Sequence, residues 1–339
     1  MLYDQAQLAA SYLEAFQITR DPLYAGVARA TLDYVLRDMT GPEGGFYSAE
    51  DADSVIDAAH PEEKGEGAFY VWTQAELEHL LGQPASRWFE YRYGVEDHGN
   101  VRNDPHGEFA GHNILFEAHT LEETAHHLDE PIDAVAAALD RARETLLEAR
   151  VRRVRPHLDD KVLTAWNGLM ISAFAKAAVI LDEPRYEQAA RRAIELIRTR
   201  LYDVGSGQLL RRFRDGDVAI PAFLDDYAFL VQALLDSYEA FFYFEDLEWA
   251  LALTDRMRQV FEDRDHGAFF STPAGDEHLP LRMKDDHDGA EPSANSIAAL
   301  NLLRLSQITG RADLRESAER TLRAFAGRIE TGPGALPQM

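Results

Sequence analysis

A polar cluster at residues 155–170 reads R-P-H-L-D-D-K-V-L-T-A-W-N-G-L-M and leads directly into the apolar stretch 169–181. Six side chains suited to chemistry fall within the eleven positions 157–167: His157, Asp159, Asp160, Lys161, Trp166 and Asn167. Helix starts also collect Asp and Asn because these groups cap free N–H groups and suit the helix dipole. For Asp159 or Asp160 taken alone, capping is therefore as good an explanation as a functional role. The cluster as a whole favours a lined pocket at the entrance of a core helix.

The composition is that of an acidic globular protein, with 339 residues, 46% hydrophobic, and a net charge of −25. Such a charge repels phosphate backbones and anionic lipid, so we expect neither nucleic acid nor a membrane as partner. The lack of cysteine excludes disulfides, thiol nucleophiles and Cys-based metal sites. No apolar run approaches the ~18 residues of a membrane span, and no basic signal segment follows Met1, so we expect a cytoplasmic protein.

One helix-pair unit recurs four times with a fixed spacing. From the start of the first helix, 24 positions lead to an alanine in the second helix, and 17 more lead to a Gly turn or, in the last copy, an alanine. The copies run over residues 4–45, 166–207, 226–267 and 294–335. Such recurrence predicts a repeat architecture, because one helix pair cannot bury its own apolar face.

The register of the copies predicts two layers of helices. The second position of each first helix is polar (Gln5, Asn167, Tyr227, Asn295) and the third is small, which permits close helix approach. First helices are apolar nearly all round and so are inner, while second helices are more charged and so are outer. We therefore predict an all-α fold, an (α/α)6 toroid of the six-hairpin glycosidase type, with the inner N-terminal ends lining a central mouth.

The stretch 49–156 between the first two copies is irregular. Residues 67–72 alternate like a strand and are predicted to pair with residues 46–48, leaving residues 49–66 as an acidic loop over the mouth. Helices are predicted at 74–81, 88–93, 121–128 and 132–149. Counted as one embellished pair, they bring the total to about five pairs, with short β-hairpins at the mouth, where a closed toroid needs six.

Six motifs resemble a known family: M-L-Y-D-Q-A-Q-L-A at 1–9, F-Y-S-A-E-D-A-D-S at 46–54, G-A-F-Y-V-W-T at 67–73, the 155–170 cluster, F-L-D-D-Y-A-F-L at 223–230 and L-P-L-R-M-K-D-D-H-D-G-A-E-P-S-A-N-S at 279–296. Together they resemble the spermatogenesis-associated protein 20 family of thioredoxin-domain-containing proteins, across nearly the whole chain. The resemblance implies an N-terminal thioredoxin-like domain, a partner in cis, followed by a six-hairpin toroid similar to N-acylglucosamine 2-epimerases.

This chain departs from the family layout at both ends. The thioredoxin-like domain and the family's first hairpin are absent from residues 1–339, which we expect to form a single toroid domain, truncated relative to the family. An incomplete ring exposes apolar surface, so we expect aggregation or dimerisation.

Ionisable and aromatic side chains crowd the predicted mouth, and Asp225, Asp285 and Glu291 lie among them. We expect catalytic roles for His157, Asp159, Asp160 and Asp226. The residues expected to bind substrate are Glu50, Asp51, Asp53, Trp72, Lys161, Trp166, Asn167, Tyr227, Arg282, Lys284, Asp288 and Asn295. Aromatic faces stack on sugar rings, and Asp, Asn and Arg bind hydroxyl groups by paired hydrogen bonds, so a small sugar is the expected ligand.

Two enzymatic hypotheses and one structural hypothesis fit this set. Two carboxylates with different pKa values suit glycoside cleavage, whereas proton abstraction beside a carbonyl would epimerise or isomerise a free sugar. The resemblance implies a histidine pair for epimerases of this fold, but only His157 sits in a family motif at the mouth. The alternative is a non-catalytic scaffold or binding module, in which the charged groups form a buried ion network and Trp72 and Trp166 pack in the core.

The other histidines give no sign of a cofactor site. Most are expected on exposed loops or helix faces: His60, His98, His106, His112, His119, His126 and His127. Three of them, between residues 98 and 112, are too loosely spaced for a credible metal site. We therefore expect no metal and no cofactor.

Overall fold

The computed structural model describes residues 1–105, 107–274 and 281–339. Its α-helices, in chain order, are α1 (Leu2–Thr19), α2 (Pro22–Asp38), α3 (Gln74–Leu81), α4 (Ala85–Tyr93), α5 (Leu121–Leu128), α6 (Ile132–Arg150), α7 (Thr164–Ile180), α8 (Pro184–Leu196), α9 (Leu224–Phe241), α10 (Phe244–Phe261), α11 (Ala294–Thr309) and α12 (Ala312–Thr331). The strands are β1 (Ala49–Glu50), β2 (Asp53–Asp57), β3 (His60–Glu66), β4 (Leu158–Asp159), β5 (Val162–Leu163), β6 (Tyr202–Asp203), β7 (Gln208–Arg214) and β8 (Asp217–Pro221). Among the described helices, none has the length and apolar character needed to cross a bilayer.

The chain divides into two compact units. The larger unit comprises residues 1–49 and 159–339, and the smaller unit comprises residues 50–158. The expected single domain over residues 1–339 stays a prediction.

Four helix pairs build the larger unit. The inner helices α1, α7, α9 and α11 pack side by side in that order, and each also packs against its own outer helix, α2, α8, α10 or α12. Helix α7 is buried on nearly all sides, as its apolar sequence predicts. The inner and outer assignments made from the repeat are confirmed.

The small residue at the third register position has a steric reason. A Cβ atom added to Gly168 would lie 2.6 Å from the carbonyl carbon of Phe229, inside the backbone of α9. The equivalent residues Ala6, Ala228 and Ser296 are all buried. Small side chains therefore let neighbouring inner helices approach closely, as the register predicts.

Ion pairs join successive outer helices. In each, an arginine on one outer helix reaches an acidic residue at the start of the next: Arg29 to Glu183 (2.6 Å), Arg191 to Asp246 (2.5 Å) and Arg258 to Asp313 (2.6 Å). Asp246 is fully buried and also accepts a hydrogen bond from Ser237 over 2.7 Å. Short sheets complete this unit, with β7 paired to β5, β6 and β8.

Helices α3 to α6 form the core of the smaller unit. Trp72 is buried among Leu77, Phe89 and Leu139, and the guanidinium of Arg153 lies over its ring at 4.0 Å. The four helices predicted in this region are confirmed, with α4 starting three residues earlier than expected.

The prediction of a strand over residues 67–72 is wrong. Gly67 has φ +66° and opens a turn in which its carbonyl accepts hydrogen bonds from the backbone N–H groups of Tyr70 and Val71. The acidic stretch before it, predicted as a loop, instead holds the antiparallel hairpin of β2 and β3. The alternating apolar pattern of residues 67–72 reflects packing of a turn, because Phe69, Val71 and Trp72 are buried while Tyr70 is exposed.

Candidate functional site

A cavity of about 320 Å³ lies in the larger unit, at the N-terminal ends of α9 and α11. Its polar lining comes from Asp225, Ser271, Thr272, Asp285 and Glu291, and its apolar lining includes Phe223 and Phe229. This is the mouth position that the repeat predicts, and its volume is at the lower end of the range of about 300–1,000 Å³ for small-molecule sites.

Glu291 is held against an aromatic pair. The indole Nε1 of Trp166, on the first turn of α7, donates a hydrogen bond to Oε2 of Glu291 over 3.0 Å. The ring of Tyr3, on the first turn of α1, meets Trp166 edge-on with ring centroids 5.0 Å apart. Burial raises the pKa of Glu291, the indole hydrogen bond works against that rise, and the charge of Asp225 adds to it. Glu291 is therefore a candidate proton donor, and Asp285, whose pKa burial also raises, is a second one in the same lining.

Asp225 is neutralised by an arginine from β7. One guanidinium nitrogen of Arg211 lies 3.0 and 2.9 Å from the two carboxylate oxygens of Asp225 and 2.8 Å from Oδ2 of Asp226. Desolvation lowers the pKa of Arg211, but the two aspartates outweigh it and raise that pKa overall. A fixed cation thus stands behind the carboxylate that faces the cavity.

Asp226, one of the predicted catalytic residues, is fully buried behind this pair. Its Oδ1 accepts the backbone N–H of Ala165 over 3.0 Å, and its Oδ2 accepts that of Phe223 over 2.9 Å. Burial and the charge of Asp225 raise the pKa of Asp226 to about 8. The side chain joins the start of α7 to the start of α9, and its catalytic role stays a prediction.

Three predicted ligands hold backbone instead of facing the cavity. The amide of Asn167 pairs with both the N–H (2.8 Å) and the C=O (2.9 Å) of Phe46. Asn295 pairs with Phe269 in the same way, at 2.8 and 3.0 Å. The hydroxyl of Tyr227, the third, accepts a backbone N–H from the preceding copy over 3.1 Å. Each residue ties an inner helix to the short strand of the copy before it, so the polar second position of the repeat has a structural use.

The remaining predicted ligands before α11 stabilise one wall of the cavity. Arg282 donates to the carbonyl of Thr272 over 2.9 and 2.6 Å and stacks on Phe270. Lys284 pairs with Asp263 over 2.8 Å. Asp288 stabilises the loop that leads into α11. Its carboxylate accepts hydrogen bonds from the backbone N–H groups of Ser293 (2.7 Å) and Gln338 (2.8 Å) and from the hydroxyl of Ser296 (2.9 Å).

The cluster around β4 and β5 does not line this cavity. Asp159 pairs with Lys161 over 3.0 Å, and although desolvation works in the other direction, hydrogen bonds from Lys161 and Ser48 lower its pKa. Asp160 lies 2.7 Å from Arg214 and lines a separate cavity of about 120 Å³ with Tyr47. The catalytic roles assigned to both aspartates stay predictions.

Other predicted residues lie in the smaller unit. His157 is exposed, and its carbonyl accepts the N–H of Asp51 over 2.8 Å. Glu50 accepts from Tyr70 (2.8 Å) and Arg155 (3.1 Å). The other two predicted ligands in this unit are Asp53, which is exposed, and Trp72, which is buried.

Of the histidines expected at the surface, His60, His98, His126 and His127 are exposed and His112 and His119 are partly exposed, while His106 lies outside the described residues. The rings of His119 and His127 both stack on the ring of Tyr91, with centroid distances of 4.0 and 3.8 Å. No motif in the sequence indicates this stack.

Several residues of the site are missed by the sequence interpretation: the lining residues Phe223, Phe229, Ser271 and Thr272, and the supporting residues Arg211 and Tyr3. Arg211 lies on β7 outside every motif, and only its contact with Asp225 identifies it. Tyr3 sits within the first motif. It comes one position before Asp4, the residue at which the first copy of the repeat starts. Its place at the start of an inner helix was a usable signal, because the first turns of all four inner helices lie at the same end of the unit.

Comparison with known proteins gives a relationship in sequence and a likeness in fold. The chain is 42% identical over a 363-residue alignment to spermatogenesis-associated protein 20 of Homo sapiens, covering 100% of this chain and 45% of that protein. An uncharacterised protein of Caenorhabditis elegans is 38% identical over 357 residues, covering 100% of this chain and 48% of that one. The chain thus spans about half the length of the curated relatives it matches. No family model matches the chain.

A crystal structure of D-mannose isomerase superposes with a TM-score of 0.54 at 11% identity, covering 96% of this chain and 60% of that one. At that identity the likeness concerns the fold alone. The predicted class, an α/α toroid with some short sheets, is confirmed.

Proposed function

This chain is a homologue of the spermatogenesis-associated protein 20 proteins along its whole length, and we propose that it is a carbohydrate-active domain that binds a sugar at the mouth of its inner helices. The observation that carries the proposal is the hydrogen bond from Trp166 to Glu291 beside the 320 Å³ cavity. This contact places an aromatic N–H donor and a carboxyl group, whose pKa is raised by burial, at the edge of the same cavity.

The lining has the mixture of groups that a sugar requires. Carboxylate oxygens of Asp225 and Asp285 accept hydrogen bonds from hydroxyl groups, and the hydroxyls of Ser271 and Thr272 both donate and accept. The rings of Phe223 and Phe229 supply an apolar surface for the carbon skeleton. Arg211 pairs with Asp225, and burial raises the pKa values of Asp285 and Glu291, which favours their neutral forms and suits a neutral ligand.

Glu291 and Asp225 are the acid and base of this proposal. Glu291 holds a proton at a higher pH than an ordinary glutamate does, so it can give that proton to a leaving oxygen or a carbonyl. Asp225, paired with Arg211, serves as the anionic partner. This pair suits glycoside cleavage and also suits isomerisation of a free sugar, the activity named for the structural neighbour D-mannose isomerase.

A thermal-shift screen with D-mannose, D-glucose and N-acetylglucosamine tests the proposal. A ligand present at about 100 times its Kd adds about 2.7 kcal/mol to the free energy of unfolding, which is an easily measured rise in Tm. Glu291→Gln should abolish or strongly reduce the rise while leaving the unliganded Tm nearly unchanged. The matched control is Glu248→Gln, an exposed position on outer helix α10, which should keep the full ligand effect.

The rival proposal is a non-catalytic module that positions a thioredoxin-like domain. Its support is the structural use of Asn167, Tyr227 and Asn295, all buried and bonded to backbone. On that proposal no sugar in the panel changes the Tm, and variants at Glu291 and Trp166 alter stability only. A sugar-dependent shift that disappears in Glu291→Gln would reject it.

A further inference from the structure

We infer that a second cavity beside the first binds a second hydroxylated unit, so that the ligand is a disaccharide or longer glycan and not a free monosaccharide. The second cavity has a volume of about 170 Å³ and lies within the larger unit, among inner helices α1, α7, α9 and α11. This inference rests on the proposed function and specifies its substrate class.

The two cavities adjoin at one residue. Pro292 lines both of them, and Glu291, the acid of the first cavity, directly precedes it. The amide of Gln7, which lines the second cavity, donates to the carbonyl of Ala290 over 2.7 Å and so fixes this segment against α1. Glu291 is therefore anchored beside Pro292, the residue that the two cavities share. In the proposed complex, the bond between two ligand units lies at this junction.

The polar groups of the second cavity match a neutral, hydroxyl-rich ligand. Lys176 and Glu14 supply one cation and one anion, and Ser172 and Gln232 supply further donors and acceptors. Among the described lining residues the charges balance, so a phosphate or carboxylate would find no surplus cation. A purely apolar ligand would leave the buried amide oxygen of Gln232 without a hydrogen bond.

Two of these groups have hydrogen-bonding capacity that the described residues leave unused. The side-chain oxygen of Gln232 is buried and accepts no hydrogen bond from the described residues. The ammonium of Lys176 lies 3.5 Å from Oε1 of Glu14, at the limit of a hydrogen bond, with its side chain about one-third exposed. By contrast, Ser172 already donates to Asp236, which Arg304 pairs at 2.6 Å. Gln232 and Lys176 are thus the groups most ready to meet hydroxyl groups.

A glycan spanning the junction defines the reaction. Glu291 gives its proton to the oxygen that links the two units, and the bond from that oxygen to the anomeric carbon breaks. Water adds to the anomeric carbon and loses a proton to Asp225, so the products are two shorter sugars and the two carboxyl groups exchange roles as acid and base. The reaction is hydrolysis, with water as the only co-reactant.

Calorimetric titration with matched pairs of ligands tests the inference. The pairs are glucose with cellobiose, glucose with maltose, mannose with mannobiose, and N-acetylglucosamine with chitobiose. We expect one disaccharide to bind about tenfold more tightly than its monosaccharide, the gain from a few net hydrogen bonds. Gln232→Leu and Lys176→Met should each remove that gain and leave the monosaccharide affinity unchanged.

Two controls separate the outcomes. Lys64→Met, on the exposed hairpin of the smaller unit, should keep the gain, and Gln232→Leu should melt no lower than wild type because it removes an unpaired buried amide oxygen. If a monosaccharide binds and no disaccharide binds more tightly, or if both variants weaken the two ligands equally, the second subsite is rejected while the proposed function stands. If no sugar binds at all, both are rejected.

Discussion

The indole of Trp166 donates a hydrogen bond to Glu291 across 125 residues of sequence, and this bond ties the start of α7 to the loop that enters α11. It joins an aromatic surface to an acid at the edge of a cavity. Burial raises the pKa of the same carboxyl group, and the charges of Asp225 on α9 and Asp4 on α1 add to that rise, so three inner helices contribute to its proton affinity. We regard this contact as the centre of the site.

The first prediction concerns the pKa of Glu291. In Trp166→Phe the ring is kept but the donor that stabilises the ionised carboxylate is lost, so the pKa of Glu291 rises further. A carboxyl group whose pKa is higher in the folded state than in the unfolded state stays protonated in the folded chain at pH values at which the unfolded chain has already lost that proton. The free energy of unfolding therefore falls as the pH rises from about 4.3 through that folded pKa. We expect Trp166→Phe to extend this fall to higher pH.

Denaturant unfolding between pH 4 and 8 measures the effect, and a double-mutant cycle supplies the control. In a Glu291→Gln background, Trp166→Phe should leave the pH slope unchanged, because the titrating group is gone. An identical change of slope in both backgrounds would show that the indole acts on some other group.

The layering of the larger unit is predictable from sequence because it rests on local periodicity. The spacing of 24 and 17 positions marks each helix pair, and apolar character all round marks α7 and α9 as inner helices. The hairpin of β2 and β3 is not predictable in this way. Its strands are polar and largely exposed, so their pairing leaves no alternation to read.

The site is predictable in position but not in detail. Register places Asp225 and Glu291 at the N-terminal ends of inner helices, yet it cannot tell which polar groups face the cavity and which hold backbone. Asn167 and Asn295 look like ligands in sequence because an amide suits both uses. Their partners, the backbone of Phe46 and Phe269, are 121 and 26 residues away and leave no mark in a helical pattern.

The second prediction follows from the backbone pairing of Asn295. Asn295→Leu removes an amide that satisfies both the N–H and the C=O of Phe269, all buried. Leaving these two groups unpaired costs about 1–3 kcal/mol each, so we expect a loss of about 2–6 kcal/mol in the free energy of unfolding. Urea denaturation measures it. The exposed Asn103→Leu, in the smaller unit, should change stability by less than about 0.5 kcal/mol.

The third prediction compares two helical glycines. Gly168→Ala places a methyl group 2.6 Å from the backbone of Phe229, which must move, so we expect a loss of about 1–3 kcal/mol. Gly26→Ala, in α2, meets no atom within 4 Å and should gain about 0.5–1 kcal/mol from helix propensity alone. Thermal unfolding of the two variants side by side is the measurement. Equal effects of the same sign would show that α7 and α9 do not approach as closely as described.

The fourth prediction uses pH to separate a structural role of Lys284 from a ligand role. Its ammonium donates to Asp263 over 2.8 Å and to the carbonyl of Gly267 over 2.6 Å. The hydrogen bond from Lys284 is the main reason that the pKa of Asp263 is lowered to about 2. Between that value and the unfolded value of about 3.9, the folded chain holds fewer protons than the unfolded chain, so stability falls as the pH falls.

Lys284→Met should therefore lower stability at pH 7 and flatten the loss of stability between about pH 4 and pH 2, because Asp263 then titrates nearer its ordinary value. Denaturant unfolding at pH 2.5, 4 and 7 reports both changes, and Lys64→Met on the exposed hairpin should reproduce wild type at all three. If Lys284→Met kept the acid slope of wild type but lost sugar binding, the lysine would be a ligand, as its sequence context suggests. A flattened slope with sugar affinity intact would assign it to the wall of the cavity, through Asp263 and the turn at Gly267.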